Sequence, residues 1–124
     1  MKRARILRFT RLEKAILSWF VSQGEDSVVV SQLQSARLKS RDHTGAGLFV
    51  YLDYPGRVHP VGDVILDCNP IPGPEISGPE LPDGAGSVLY VTDGIPDVLE
   101  IFTYGKPFPE ELVDFELSGP PLPS

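Results

Sequence analysis

Asp42, His43 and Thr44 stand together in "RDHTGAG" (41–47), an acid, an imidazole and a hydroxyl followed by two glycines. These are the residue types of nucleophilic catalysis, in which a base activates a hydroxyl and an acid orients the base. Three consecutive residues do not make such a triad, because adjacent side chains in a strand or turn point apart. Catalytic partners need hydrogen-bond contact within about 3 Å and come from distant parts of a chain. The run also lacks the spacing and the following helix of a phosphate- or dinucleotide-binding glycine loop. Gly45 and Gly47 supply the backbone freedom of a bulged hairpin, so we read a turn and assign no catalytic residue.

Glu100 is the second candidate. In "DVLEIFTY" (97–104) it alternates with Val98, Phe102 and Tyr104 on one side, while Leu99 and Ile101 take the other. Apolar residues on both faces suggest a central strand, where a carboxylate is costly unless paired or hydrogen-bonded. Arg41, His43, Tyr51 and Tyr90 are the available partners. The simplest role is a buried pair that fixes strand register. The alternative is a general acid or base in a pocket.

Metal chemistry has little to work with. His43 and His59 are the only histidines, and no His-x-x-x-His or Cys-x-x-Cys spacing occurs. A site built from His43, His59, Asp53 and Asp63 would need a fortunate fold, so we expect no metal and no cofactor. The single Cys68 excludes an internal disulfide and reads as a small core residue.

The elements that must position these groups follow from periodicity. "TRLEKAILSWFVSQ" (10–23) reads as an amphipathic helix. Thr10 and Glu13 have capping-box spacing, Gly24 is a stop, and Leu12, Ala15, Ile16, Trp19 and Phe20 form the apolar stripe. Arg8, Arg11 and Lys14 lie beside it. Residues 27–41 alternate enough for one long strand, or for a short helix or turn and then a strand from about Ser35. Residues 48–54, 61–68, 87–92 and 97–104 read as further strands, the last two joined by a tight Asp-Gly turn. Pro96 can begin a strand but not sit inside one. Residues 69–86 hold five prolines and four glycines, and we expect a long excursion there, neither helix nor central strand. Gly-Ala-Gly occurs twice, at 45–47 and 84–86, each time just ahead of a strand and with Tyr51 and Tyr90 at the same offset. The second copy adds Gly84 and Gly86 to the turn glycines.

The fold class expected is α+β: an N-terminal helix packed on an antiparallel sheet of about five strands, in one domain spanning 1–117, with a disordered tail at 118–124. No run approaches the ~18 apolar residues of a membrane span. The opening "MKRARILRF" has basic residues but no apolar leader, so we expect a cytoplasmic protein. The net charge of -6 divides sharply. Residues 1–41 carry nine of the eleven Lys and Arg, and residues 42–124 set fourteen acids against Arg57 and Lys106.

The segments "SRDHTGAGLFVY", "GAGSVLYVTDG" and "LEIFTYGKPFPEELVDFEL" together resemble a family of small bacterial proteins of unassigned activity. The resemblance covers roughly 36–117, with a similar helix before it. It singles out Arg41, Thr44, Gly45, Gly47, Glu100, Thr103, Tyr104 and Pro109. Asp42 stands where the family has Glu, and Phe108 where it has Trp. It implies a fold and a polar network of Thr103 and Tyr104 around Glu100, and it implies no chemistry.

Three functions compete. The first is a non-catalytic interaction protein, such as an immunity or accessory protein, whose acidic face meets a basic partner. The second is a small ligand-binding domain or enzyme using Glu100 with Arg41 or His43. The third is nucleic-acid binding through Arg3, Arg5, Arg8, Arg11 and Lys14, disfavoured because the acidic body repels phosphate. We favour the first. Self-association through an exposed edge strand stays open.

Overall fold

The computed structural model describes residues 8–23, 32–55, 70–105, 107–109 and 112–119. The expected strand at 61–68, with His59, Asp63 and Cys68, lies outside them.

Helix α1 (Arg11–Gln23) precedes an antiparallel sheet that has seven strands among the described residues. The strands are β1 (Arg37–His43), β2 (Gly47–Asp53), β3 (Ile71–Pro72), β4 (Glu75–Gly78), β5 (Leu81–Thr92), β6 (Ile95–Thr103) and β7 (Glu116–Ser118). Their order is β1-β2-β6-β5-β4-β7, with β3 also pairing β5. The protein is thus α+β, as its pattern implied. Of the two readings of 27–41, the helical turn is realised over 32–34, before β1 begins.

Helix α1 starts where the capping box places it. The Thr10 N–H donates to Glu13 Oε1 at 2.8 Å, and the Glu13 N–H donates to Thr10 Oγ1 at 3.2 Å. Leu12, Ile16, Leu17 and Phe20 are buried in one cluster with Leu48, Val50, Leu52, Leu89, Leu99 and Ile101. Because strand side chains alternate, these sheet residues define the helix-facing side. Phe49, Tyr51, Val88, Tyr90, Val98, Glu100 and Phe102 take the other side and stay half-buried.

The proline-rich stretch overturns one expectation. Instead of an excursion, 71–86 forms β3, β4 and the first half of β5. Pro72 and Pro74 border the break between β3 and β4, two short strands lying along the same side of β5. Ser87 spans that break, its Oγ donating to Pro74 O at 2.8 Å and its carbonyl accepting the Gly73 N–H at 2.9 Å. Pro82 lies in β5 ahead of Ala85, where pairing with β6 begins, so no bond to β6 is lost. Among the described residues the sheet therefore has seven strands, where about five were expected. Ser118 pairs with Glu75 at the end of β7, which removes it from the expected tail.

Asp93 and Gly94 take φ of 52° and 77°, the pair of positive angles that an Asp-Gly hairpin turn needs. Pro96 is tolerated near the start of β6 because the register shifts there, between Tyr90 and Val91.

The sidedness of the sheet is testable on two adjacent residues of β6. Leu99→Ala removes a fully buried side chain and should cost about 2–5 kcal/mol in urea unfolding. Val98→Ala on the outer side should cost about 1 kcal/mol or less. Equal losses would contradict the assignment of faces.

Candidate functional site

Strand alternation sorts the candidate residues onto two faces. Arg41 pairs in register with Val50, and His43 with Leu48, so both face the helix. Asp42 pairs with Phe49 and faces away, as does Glu100, which lies between Phe49 and Val88. Arg41 and His43 therefore do not converge with Glu100, and the polar centre expected from those residues is divided by the sheet itself.

On the helix side the partner of Arg41 is Glu13. The guanidinium forms a two-pronged ion pair, Nε to Glu13 Oε2 and Nη2 to Glu13 Oε1, both at 2.5 Å, and Nη2 also reaches Arg8 O at 3.1 Å. The Glu13 side chain is 1% exposed and that of Arg41 21%. These bonds hold the pKa of Arg41 above its already high value, against the partial burial that would lower it. Beside the pair lies a cavity of about 420 Å³. Leu48, Ile101, Phe108 and Leu112 supply its apolar wall, and Thr10, Arg11, Arg41 and His43 its polar edge.

The 44–47 segment is a turn. The Thr44 N–H donates to Gly47 O at 2.9 Å, and its hydroxyl reaches the same oxygen at 3.2 Å. Gly45 has φ +86°, the positive value that the first central residue of a two-residue primed turn takes. Gly47 serves space instead of freedom of φ. A Cβ there would sit 1.9 Å from Ile101 O, so only glycine lets β2 and β6 approach. Thr103 secures the turn, its N–H and hydroxyl both donating to Ala46 O, at 2.8 and 3.0 Å. Thr44 and Thr103 are thus engaged with backbone, and Thr103 does not contact Glu100.

On the outer side, three of the four tyrosines donate to carboxylates. Tyr90 reaches Glu100 Oε1 at 2.8 Å, Tyr104 reaches Glu75 Oε2 at 2.5 Å, and Tyr51 makes a long 3.4 Å contact with Asp42 Oδ2. Tyr90 was among the partners open to Glu100, whereas Tyr104, expected beside Glu100, turns to Glu75. Along β6 the face forms three rows. Val98 lies between Tyr51 and Tyr90, Glu100 between Phe49 and Val88, and Phe102 between Gly47 and Gly86.

The two Gly-Ala-Gly copies thus flank the end of β6. The second lies inside β5, not ahead of it, with Gly84 at φ +79°. A Cβ on Gly86 would lie 2.5 Å from the Tyr104 hydroxyl and 2.8 Å from the Phe102 ring. Glycine there lets both rings lie against the sheet, and they meet edge to face at 5.7 Å.

Sequence reasoning missed Glu13 as a buried ionic partner. The signal was present, because Glu13 precedes Ile16 by three residues and Leu17 by four, inside the buried stripe. Its capping-box position beside Thr10 already gives the residue a local role, which hides the tertiary one. Among the described residues, no helix is long and apolar enough to cross a membrane. No protein-family model, curated protein or solved structure matches the chain.

The ion pair and the tyrosines each yield an expected outcome. Arg41→Met leaves Glu13 buried without a cation and should destabilise by about 3–5 kcal/mol. Adding Glu13→Gln should recover part of that loss, and a double-mutant cycle with no coupling would refute the pair.

Partial desolvation, then the bond to Glu75, raises the Tyr104 pKa to about 12, and the bond to Glu100 raises that of Tyr90. Both protect the neutral phenol in the folded state, so their contribution is complete below the unfolded value near 10 and is lost as pH climbs through the folded values. Native-state absorbance should show these phenolates appearing late, with stability falling from about pH 10 upward. Four tyrosines titrating together near pH 10 would contradict the pairing.

Proposed function

We propose that the protein is a non-catalytic binding protein whose outer sheet face receives a cationic side chain from a basic protein partner. The observation that carries this reading is the setting of Glu100. It is a half-buried carboxylate amid Phe49, Val88, Val98 and Phe102, with Tyr51 and Tyr90 flanking the next row.

A Lys or Arg placed there would gain a charge-assisted bond and the faces of aromatic rings together. Asp42 and Glu75 extend the negative field across the same face through their tyrosine contacts. The acidic composition of residues 42–124 has the same sign, which favours encounter with positively charged proteins. The Tyr90 hydroxyl donates to one Glu100 oxygen, so the carboxylate is oriented before a partner arrives and less ordering is needed on binding.

The competing readings have less support. A reaction centre combining Glu100 with Arg41 or His43 would have to act through the sheet. Nucleic-acid binding would rest on exposed Arg11 and Lys14 in the first turns of α1 and on exposed Arg8 just before it, with Arg3 and Arg5 outside the described residues.

The experiment is a titration of the full chain with deca-lysine and deca-arginine, followed by amide NMR shifts. Perturbations should centre on Phe49, Val88, Val98 and Glu100 and should weaken as salt is added. Glu100→Gln should lower affinity about tenfold, equivalent to about 1.4 kcal/mol. Shifts spread evenly over all acidic residues, or affinity indifferent to Glu100→Gln, would overturn the proposal.

A further inference from the structure

We infer that the cavity between the start of α1 and the β1–β2 hairpin binds a small amphipathic anion, a carboxylate carried on a hydrocarbon or aryl body. This site is separate from the outer face, since it lies on the helix side of the sheet and uses none of the same side chains.

Its size comes first. About 420 Å³ lies within the range of roughly 300–1,000 Å³ typical of small-molecule sites. Leu48, Ile101, Phe108 and Leu112 line it with hydrocarbon, which favours an apolar ligand body.

The sign of the head group follows from counting donors and acceptors. Among the described residues, Glu13 is the only acid on the cavity wall, and its acceptors are engaged. Oε1 takes the Thr10 N–H and Arg41 Nη2, Oε2 takes Arg41 Nε, and the side chain is 1% exposed. What remains for a ligand is mainly donors. Arg41 Nη1 donates to none of the described residues. The Thr10 hydroxyl accepts from the Glu13 N–H and keeps its own proton to give. His43 is exposed at the edge with a ring N–H, and Arg11 adds positive charge. A cation would meet these donors unpaired and be repelled, whereas a carboxylate satisfies several at once.

The geometry is also prearranged. Arg41 is held from behind by Glu13 and Arg8 O, so its free edge is oriented without a ligand. The Phe108 N–H bond to Gly45 O, 2.8 Å, ties the Phe108 wall to the hairpin turn. A ligand therefore need order little of the protein when it enters.

The test uses the full chain with three probes of one chain length: octanoate, octanol and octylamine, each below its micelle-forming concentration. Calorimetry should show saturable binding of octanoate, with amide shifts at Thr10, Arg41, His43 and Leu112, while octylamine fails to bind and octanol binds at least about tenfold more weakly. Two variants at exposed positions leave the core untouched. Val113→Trp blocks the mouth, and His43→Glu places a negative charge at the edge. Each should weaken octanoate binding about tenfold with an unchanged thermal midpoint and unchanged deca-lysine binding. Octylamine binding as well as octanoate, octanoate shifts away from the cavity, no octanoate binding, or full octanoate affinity in both variants would overturn the inference.

Discussion

A single carboxylate joins the helix to the sheet. Glu13 accepts the Thr10 N–H at the head of α1 and grips the Arg41 guanidinium of β1 with both oxygens. Capping alone is a local effect worth about 1 kcal/mol, and it acts within one turn. Extending it to Arg41, twenty-eight residues away, turns a helix signal into a tertiary one. Burying an ion pair does little for net stability when its partners are compared with apolar residues, but breaking one side is expensive. The pair therefore acts chiefly as a constraint. A β1 register shifted by one residue would leave Glu13 buried without its cation and send Arg41 to the far face.

The separation of the two candidate sites follows from that constraint. With Arg41 held against the helix, alternation sends His43 to the same side and Asp42 to the other. Arg41 and His43 border a hydrocarbon cavity at the start of α1, whereas Asp42 joins Glu100 and Glu75 on an open aromatic face. One short run, Arg41-Asp42-His43, thus contributes to two surfaces with opposite electrostatic character. The cavity on the helix side presents donors, because Glu13, the one acid among the described residues of its wall, is paired with Arg41. The outer side presents carboxylates, each oriented by a tyrosine hydroxyl.

The glycines serve these arrangements in different ways. Gly45 turns the hairpin through a positive φ, while Gly47 and Gly86 lie on either side of Phe102 where a side chain would collide. Thr103 closes the construction by donating twice to Ala46 O, so the residues that looked most like a reaction centre are occupied in holding a turn. Pro72, Pro74 and Pro82 likewise fall where a missing N–H breaks no bond between β5 and β6.

Local chemistry was enough to place α1, the 44–47 turn, the Asp-Gly hairpin and the central position of β6, because capping pairs, positive-φ residues and alternation each act within a few residues. It also identified Glu100 as needing a partner, with Tyr90 among the choices. The strands hidden in 71–86 were not readable in that way, since a proline or glycine is tolerated or forbidden according to which side of the strand is already paired. Nor was the choice of Arg41 by Glu13 in place of Glu100. Every local rule was satisfied by either partner, and only the packing of the helix on one particular face of the sheet brought one pair together and kept the other apart.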